Sequence, residues 1–236
     1  MRKLETLLQQ RKIYYDHEPA FRALKEKGKT GWRSGGQAAN WAGCWKLFQA
    51  SECLPKPQAR VLDFGCGGGE FSILLARQGY RVVGTDYSPT AIAMAQANAR
   101  KSKIPKSKIQ NLKFLRQDAL RPQLRPASFE LIVSLFVLHC FIGKDRMVYW
   151  RNVRKLLKKG GLVALTSMVD LPNNQKMLRQ LKINQRTRVD LNRTRCFASE
   201  EKILAEAKAA GLEVIFHARQ KDPDGADGLT VIARKN

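Results

Sequence analysis

A glycine-rich stretch at residues 63–69, Asp-Phe-Gly-Cys-Gly-Gly-Gly, is the part of this chain best suited to bind a ligand. It follows a short apolar run that begins at Arg60 and precedes a helical pattern. Glycines at such a junction let the backbone turn sharply and approach a ligand, and the open amides at the start of a helix suit an anionic group. The pattern favours a nucleotide-like ligand over a tight turn that binds nothing.

The spacing of the glycines narrows the kind of nucleotide. The dinucleotide pattern G-x-G-x-x-G counted from Gly65 requires glycine at position 70, where the chain has Glu70, and the Walker lysine is missing. Asp86 ends the next predicted strand, 23 positions after Asp63. A carboxylate there can accept hydrogen bonds from both hydroxyls of a ribose that carries no phosphate, although it could also cap a turn.

Short β-branched runs alternate with helical patterns from Arg60 onward, which predicts a parallel sheet with crossover helices. The predicted strands are residues 60–64, 81–86, 112–116, 129–136 and 162–166. The predicted helices among them are residues 70–77, 89–101 and 144–158, the last closed by Gly160 and Gly161.

The C-terminal part follows a different order. A helix capped by Ser199 precedes two strands, residues 212–218 and 229–233, and the turn at residues 222–225 is too short for a parallel crossover. These two strands must therefore be antiparallel. Two segments lie outside the predicted sheet: the region up to residue 58, expected to hold two helices around a glycine-rich loop, and residues 169–198.

The glycine stretch together with residues 82–89, Val-Val-Gly-Thr-Asp-Tyr-Ser-Pro, resembles the class I S-adenosylmethionine-dependent methyltransferases. The resemblance covers residues 60–168 well and residues 199–233 by element order. It implies an α/β, Rossmann-like three-layer sandwich with helices on both faces. The seven-stranded sheet would be mostly parallel, in the order 3-2-1-4-5-7-6, with an antiparallel C-terminal strand. It also implies S-adenosyl-L-methionine as cofactor and S-adenosyl-L-homocysteine as product.

The resemblance further implies which residues hold the cofactor. The glycine stretch would pass beneath the methionine part, Asp86 would bind the ribose, and Tyr87 would flank the adenine. Asp118 would accept a hydrogen bond from the adenine amine or would merely cap a turn, and the backbone of Ser134 would meet the methionine amino group. The full set is Asp63, Gly65, Cys66, Gly67, Gly69, Asp86, Tyr87, Ser88, Asp118, Ala119, Ser134 and Leu135, with no chemistry assigned to Cys66.

The segment after the fourth strand bears on the methyl acceptor. It lacks the Asp/Asn/Ser-Pro-Pro-Tyr/Phe tetrapeptide of amino-methylating nucleic-acid enzymes, and residues 136–140, Phe-Val-Leu-His-Cys, are similar to small-molecule methyltransferases of the ubiquinone-biosynthesis type. His139 is the candidate catalytic residue, because at the carboxyl edge of the sheet it could orient or deprotonate an acceptor. It could equally bond only to backbone and close the cofactor pocket.

Contacts with the acceptor are expected from the two segments outside the sheet. Residues 1–58 are interpreted as an N-terminal helical cap or lid, which contributes Tyr15 and Trp32. Residues 169–198 form a basic insertion with seven Lys or Arg against two Asp, and Arg195 is its candidate substrate-binding residue. With these covers, residues 1–236 are interpreted as a single methyltransferase domain.

The charge balance leaves a second function open. The chain has 43 Lys and Arg against 20 Asp and Glu, a formal net charge of +23. Such an excess can keep a protein soluble or attract phosphate-rich partners. The alternative is therefore an RNA methyltransferase, in which the insertion's arginines join Arg100, Lys101, Lys103, Lys106 and Lys108 in one external stripe. A non-enzymatic scaffold is a third reading, and the intact cofactor motif argues against it.

The remaining composition predicts a cytoplasmic chain without a metal site. The longest apolar run, residues 131–142, is too short to span a bilayer, and residues 1–13 lack the continuous apolar region of a secretory signal. Five widely spaced cysteines without a C-x-x-C pair and three distant histidines predict reduced thiols and no zinc. A monomer or a homodimer is expected.

Overall fold

The fold of the protein is taken from a computed structural model, which describes residues 16–31, 39–105, 110–169, 183–184, 189–190, 195–221 and 227–236. In the N-terminal half the structure has four helices and three strands among the described residues. In chain order they are α1 (Glu18–Glu26), α2 (Ala39–Ala50), β1 (Arg60–Phe64), α3 (Glu70–Arg77), β2 (Arg81–Asp86), α4 (Pro89–Lys101) and β3 (Leu112–Arg116).

The C-terminal half continues the alternation and then adds short strands. Its elements are β4 (Phe129–Leu135), a 3-10 helix (Leu138–Cys140), α5 (Lys144–Leu156), β5 (Leu157–Met168), β6 (Ile183–Asn184), β7 (Val189–Asp190), β8 (Arg195–Cys196), α6 (Glu200–Ala209), β9 (Leu212–Gln220) and β10 (Gly228–Lys235). The strands β6, β7 and β8 pair in a small antiparallel sheet of their own within the basic insertion.

The main sheet has seven strands in the order β3-β2-β1-β4-β5-β10-β9. The pairs from β3 to β5 are parallel, and β10 is antiparallel to both β5 and β9. Because β9 and β10 are the sixth and seventh strands of this sheet along the chain, the order is the one that the family resemblance implies. The predicted fold class is confirmed.

Helices cover both faces of the sheet, and each face has its own apolar core. On one side the buried residues of α2, α3 and α4, among them Phe48, Phe71 and Ala99, pack on β1 and β2. On the other side α5 and α6 pack on β4 and β5 through residues such as Trp150 and Ile203. The central strand β4 is buried along almost its whole length because helices lie on both of its faces.

The boundary between α5 and β5 differs from the prediction, which was wrong by several residues. The helix ends at Leu156 instead of residue 158, and β5 begins at once with Leu157 instead of residue 162. The pairing of β5 with β4 jumps from Leu157 to Leu162, so residues 158–161 bulge out between the two strands. The two glycines that looked like a helix end belong instead to an irregularity in the sheet.

Candidate active site

The glycine stretch forms the turn between β1 and α3, and the backbone of β2 holds it in place. The amides of Gly65 and Cys66 both donate to the carbonyl oxygen of Thr85, each at 2.8 Å. Gly65 has φ of +87°, and a Cβ there would lie 2.2 Å from Val137 Cγ2. Gly69 stands just before α3. The turn is thus fixed in a shape that only glycine accommodates at position 65.

Asp86 faces the glycine stretch from the end of β2. Its Oδ2 accepts a hydrogen bond from the Gly67 amide, and its Oδ1 accepts one from the Ser88 amide, both at 2.9 Å. Burial raises the pKa of Asp86, and these backbone hydrogen bonds oppose the rise. The structure therefore brings together the two features that the sequence separates by about twenty residues.

This arrangement fits an adenosyl ligand. An ionised carboxylate offers about four lone-pair sites, and the two amides use two of those of Asp86, so acceptor sites are left for a sugar diol. Gly67, at φ +53°, has only ordinary contact distances around the place of a Cβ, the nearest being 3.5 Å to the Phe21 ring. The Phe21 ring therefore lies against this backbone, and at Gly68 the place of a Cβ is 2.3 Å from the Thr30 carbonyl oxygen, so α1 and the residues after it cover the turn.

Asp63 does not present its side chain to the cleft. It is 2% exposed, and its Oδ2 accepts a hydrogen bond from Ser72 Oγ at 2.6 Å. Burial raises the pKa of Asp63 to about 7, with smaller contributions from the charges of Asp86 and Glu70, while the Ser72 hydrogen bond opposes the rise. Its side chain thus ties β1 to α3 beneath the turn.

The residues predicted at the adenine edge lie around the ends of β2 and β3. Tyr87 is held by Arg116, whose Nε donates to the Tyr87 carbonyl at 3.1 Å and whose guanidinium carbon lies 5.7 Å from the ring centroid. Asp118 Oδ1 accepts from the Leu120 amide at 2.8 Å, so that oxygen caps a turn. The Ala119 carbonyl accepts from Asn152 at 2.9 Å. A contact of Asp118 with adenine stays a prediction.

Ser134 is fully buried at the end of β4, and its hydroxyl is already occupied. It donates to the Phe64 carbonyl at 3.1 Å and accepts from the Tyr149 hydroxyl at 2.6 Å. Burial raises the pKa of Tyr149, which keeps this hydroxyl protonated as a donor. Only the backbone of Ser134 and its neighbour Leu135 could meet a ligand, as the resemblance implies.

His139 lies in the 3-10 helix that follows β4, with its side chain 3% exposed. Burial, and then the positive charges of Arg195, His17 and Arg146, hold the pKa of His139 well below its usual value, so the imidazole is neutral near pH 7. Its Nδ1 has no hydrogen-bond partner among the residues that the structure describes. A neutral ring with a spare nitrogen can orient an acceptor group.

Two residues that the sequence did not single out hold the turn that carries His139. Arg146 on α5 is 1% exposed, and its Nη1 donates to the Leu138 carbonyl at 3.0 Å. Its Nε and Nη2 donate to the two carboxylate oxygens of Glu206 on α6, both at 2.8 Å. The sequence did contain a sign of this role. Arg146 lies on the same apolar face of α5 as Trp150 and Val153, and an arginine on a buried face needs a buried partner.

The way in which helix α1 is attached is the second feature that the residue pattern did not reveal, although a helix in this region was expected. Glu18, at its start, accepts hydrogen bonds from Ser88 Oγ at 2.6 Å and from Thr90 Oγ1 at 2.7 Å. At the other end of the segment, Asn98 Nδ2 donates to both the Thr30 and the Gly68 carbonyl, each at 2.8 Å. The segment is thus attached to the glycine turn and to the start of α4.

Of the three residues predicted to contact the acceptor, only Arg195 lies in the described part of the chain. Tyr15 and Trp32 lie outside the described residues. Arg195 lies on β8, which packs against the 3-10 helix, and its charge lowers the pKa of His139. Arg195 and His139 are therefore close together although they are 56 positions apart in the chain.

The described residues contain neither a cluster of metal ligands nor a helix that could span a membrane. No group of three or more His, Cys, Asp or Glu is arranged there to hold a metal ion. None of the described helices is long and apolar enough to cross a membrane. All five cysteines are free thiols, and burial raises the pKa of Cys66 well above its usual value and that of Cys140 to about 12.

Comparison with known families and proteins agrees with this geometry. Residues 62–165 match the methyltransferase domain family. An uncharacterized methyltransferase of Synechocystis sp. is 30% identical over 112 residues, covering 48% of this chain and 48% of the relative. A ubiquinone biosynthesis O-methyltransferase of Xanthomonas campestris pv. campestris is 30% identical over 117 residues, covering 49% and 46%. The chain thus spans about half the length of the curated relatives it matches.

Among solved structures, a SAM-dependent methyltransferase from Methanosarcina mazei superposes with a TM-score of 0.66 at 21% identity. The superposition covers 79% of this chain and 96% of that one. At this identity the likeness establishes a shared fold.

Proposed function

We propose that the protein is a class I S-adenosylmethionine-dependent methyltransferase that methylates a small-molecule acceptor, since residues 62–165 match the methyltransferase domain family. The observation that carries the proposal is the pairing of Asp86 with Gly67, because it sets a carboxylate with remaining acceptor sites beside the glycine turn that follows β1. S-adenosylmethionine, when bound, supplies a methyl group on a sulfonium, whose leaving group is already activated.

In this proposal the chain's own residues bind the cofactor and orient the acceptor. Asp86 accepts from the ribose hydroxyls, the turn at residues 65–69 carries the methionine part, and the backbone at Ser134 and Leu135 meets the amino group. Asp63 acts through Ser72 to hold the turn and makes no direct contact. The reaction then depends mainly on alignment of the acceptor with the methyl group.

His139 is proposed to face the acceptor, held by Arg146 through the Leu138 carbonyl. Because its pKa lies well below the usual value, the ring accepts a hydrogen bond at neutral pH but holds a transferred proton poorly. We therefore assign it the role of orienting an acceptor hydroxyl or amine. Arg195, Tyr15 and Trp32 remain the proposed acceptor contacts, and residues 1–58 and 169–198 the proposed covers.

A small acceptor is favoured over RNA by the placement of the basic residues. Arg100 and Lys101 end α4, and parallel-sheet helices end at the side where the strands begin. Arg195 lies beside the 3-10 helix that follows the carboxyl end of β4. Among the described residues, Arg195 is thus at the opposite end of the sheet from Arg100 and Lys101, which argues against one stripe that joins them past the proposed cofactor site. The ubiquinone-biosynthesis relatives are named as O-methyltransferases, which suggests a hydroxyl group as the first acceptor class to test.

Calorimetry tests the proposal directly. The protein should bind S-adenosylmethionine and S-adenosylhomocysteine and should not bind NAD. Asp86→Ala should weaken S-adenosylmethionine binding by at least about tenfold, since hydrogen bonds to a charged group contribute roughly 1.5–3 kcal/mol each. Glu213→Ala, which removes an exposed carboxylate at the start of β9, should bind normally. Absence of binding to S-adenosylmethionine in the unmodified protein would refute the proposal.

A further inference from the structure

The strands of the main sheet begin on a strongly basic surface, which we call the basal face. Arg60, Arg81 and Lys158 stand at or next to the starts of β1, β2 and β5, and all three are exposed. Strand β10 runs the opposite way, so its end adds the exposed Arg234 to the same surface. The parallel topology thus collects these cations at one end of the molecule.

The helices end on the basal face as well and add further cations. Arg77 ends α3, Arg154 and Lys155 lie in the last turn of α5, and Lys208 lies in the last turn of α6. Basic residues at helix ends complement the helix dipole, and that explains their presence in the last turns. The helix dipole does not explain the cations at the starts of the strands, because β-strands in a sheet have only a small net dipole.

The bulge in β5 gives the basal face its most prominent feature. Residues 158–161 project between β4 and β5, and Lys158 and Lys159 are both exposed there. They line an open groove together with Glu130, Gly161 and Arg234. Glu130 and Lys158 neutralise each other, because the carboxylate accepts from Lys158 Nζ as well as from the Arg60 amide, so the excess positive charge comes from Lys159 and Arg234. The groove therefore presents net positive charge.

Carboxylates are scarce on this surface and concentrated at the opposite edge. The acidic residues at the basal end of the described chain are Glu52, Glu130 and Glu213, whereas Asp63, Glu70, Asp86 and Asp118 all surround the cofactor site. Some of the cations lie close enough to repel one another. The pKa of Lys235 is lowered by burial and by the positive charge of Arg154. Such a surface is stabilised by an anionic partner.

The groove is lined in part by Cys53, Pro55 and Leu162, but no large apolar side chain of the basal face is exposed among the described residues. The only large apolar side chain that is clearly exposed in the described residues is Leu115, near the far end of β3. Stable attachment to a membrane usually needs an apolar or lipid anchor besides basic residues, whereas a phosphate backbone is bound by Lys and Arg alone.

We infer that the basal face binds nucleic acid through its phosphates, as a tether separate from methyl transfer. A strand of five to seven residues spans roughly 15–20 Å, so a phosphate on this face is that far from the cofactor edge. The nucleotide held at this face is therefore not the one that a methyl group could reach. The inference does not depend on the proposed function, because the binding needs neither cofactor nor turnover.

Fluorescence anisotropy with a labelled, mixed-sequence single-stranded RNA tests the inference across a salt series. The basal variant replaces Lys155, Lys159 and Arg234 with Glu, which are exposed side chains without a described hydrogen bond. The control variant replaces Lys46, Lys144 and Lys202 with Glu and changes the net charge equally, but at α2 and at the starts of α5 and α6. Circular dichroism and S-adenosylmethionine affinity report whether each variant is folded.

The basal variant should bind RNA at least about tenfold more weakly than the control, and its plot of log K against log salt should flatten by about 2, the loss of three phosphate contacts. Single-stranded DNA should behave like RNA. The affinity for S-adenosylmethionine should not change when RNA is present. A Gln version of the basal variant repeats the test if the Glu version does not fold.

Three outcomes would overturn the inference. Equal losses in the basal and control variants would show a diffuse effect of net charge. Binding to vesicles that contain anionic phospholipid, without binding to RNA, would identify a membrane partner. Competition between RNA and S-adenosylmethionine would place the nucleic acid at the cofactor edge instead.

Discussion

Ser88 Oγ donates a hydrogen bond to Glu18 Oε2 at 2.6 Å, and this contact joins the N-terminal helix to the loop that leaves β2. Thr90 adds two more donors to the same carboxylate, from its amide and from its hydroxyl. Glu18 thus lies at the positive end of α4, where an anion is favoured by the helix dipole. Because Ser88 follows Asp86 by two residues, the position of α1 is linked directly to the proposed ribose site.

Glu18→Ala should destabilise the protein by about 1–2 kcal/mol at pH 7, through the loss of these hydrogen bonds and of the helix cap. Burial alone would raise the pKa of Glu18, but the hydrogen bonds from Ser88, Thr90 and Arg22 outweigh it and lower the pKa to about 2. Since the folded-state pKa is lowered, the stabilisation is complete above the unfolded value of 4.5 and is lost as the pH falls towards 2.

Urea denaturation of the Glu18→Ala protein and of the unmodified protein at a series of pH values measures this difference. Glu26→Ala, at the exposed end of the same helix, is the matched control and should change little. A difference between the Glu18 variant and the unmodified protein that does not shrink in acid would contradict the prediction.

Gly160 and Gly65 both have positive φ, and substituting each by alanine separates the free-energy cost of backbone strain from that of a steric clash. Gly160 has φ of +73° with nothing within 4 Å of an added Cβ, whereas an added Cβ at Gly65 would lie 2.2 Å from Val137 Cγ2. Gly160→Ala should therefore cost about 1–2 kcal/mol. Gly65→Ala should cost a further 1–3 kcal/mol, roughly, as Val137 is displaced. Denaturation curves and S-adenosylmethionine binding test both, and only Gly65→Ala should weaken binding.

Asp63→Asn should abolish a pH dependence of stability. Burial raises the pKa of Asp63 from 3.8 to about 7, so its ionisation in the folded protein is unfavourable. The unmodified protein should lose stability as the pH rises from about 4 to about 7, because the unfolded chain releases the proton first. Asparagine can still accept from Ser72 and carries no charge, so this loss should be absent from the variant.

Denaturation across that pH range measures the difference between the Asp63 variant and the unmodified protein. Carbon-13 NMR of the Asp63 carboxyl is an independent readout. A carboxyl that titrates near 4 in the folded protein would show that the prediction is wrong.

His139→Ala should lower kcat by at least about tenfold if the imidazole orients the acceptor, with S-adenosylmethionine affinity unchanged. His139→Gln, which keeps a hydrogen-bonding group, should retain more activity. Because the pKa of His139 lies well below 6.5, the ring should give no inflection in the pH profile of kcat between about pH 6 and 8. Turnover that is equal in all three proteins would leave His139 only a packing role.

The order of the main sheet and the position of the glycine turn could be predicted from the sequence. The bounds of β1, α3, β2, α4 and β3 agree with the pattern to the residue. These features depend on neighbouring residues, since apolar periodicity, proline and glycine act on the local backbone. The resemblance to a known superfamily supplied the strand order, which periodicity alone does not contain.

The bulge at residues 158–161 marks where local reasoning failed. Two glycines after a basic helical pattern predict a helix end, and only the pairing of Leu162 with Leu131 in β4 shows that they lie within a strand. The acceptor contacts Tyr15 and Trp32 remain predictions from the sequence. For Asp118 both predicted roles stay open, because Oδ1 caps a turn while the other carboxylate oxygen is left to accept from adenine.

By itself the sequence determined which elements form and where a ligand could approach the backbone, because those properties are local. The tertiary structure decided which distant side chains meet: Glu18 with Ser88, and Arg146 with Glu206. It also decided that cations scattered along the whole chain share one end of the sheet. Such pairings follow from the direction and packing of whole elements, and no pattern of neighbouring residues encodes them.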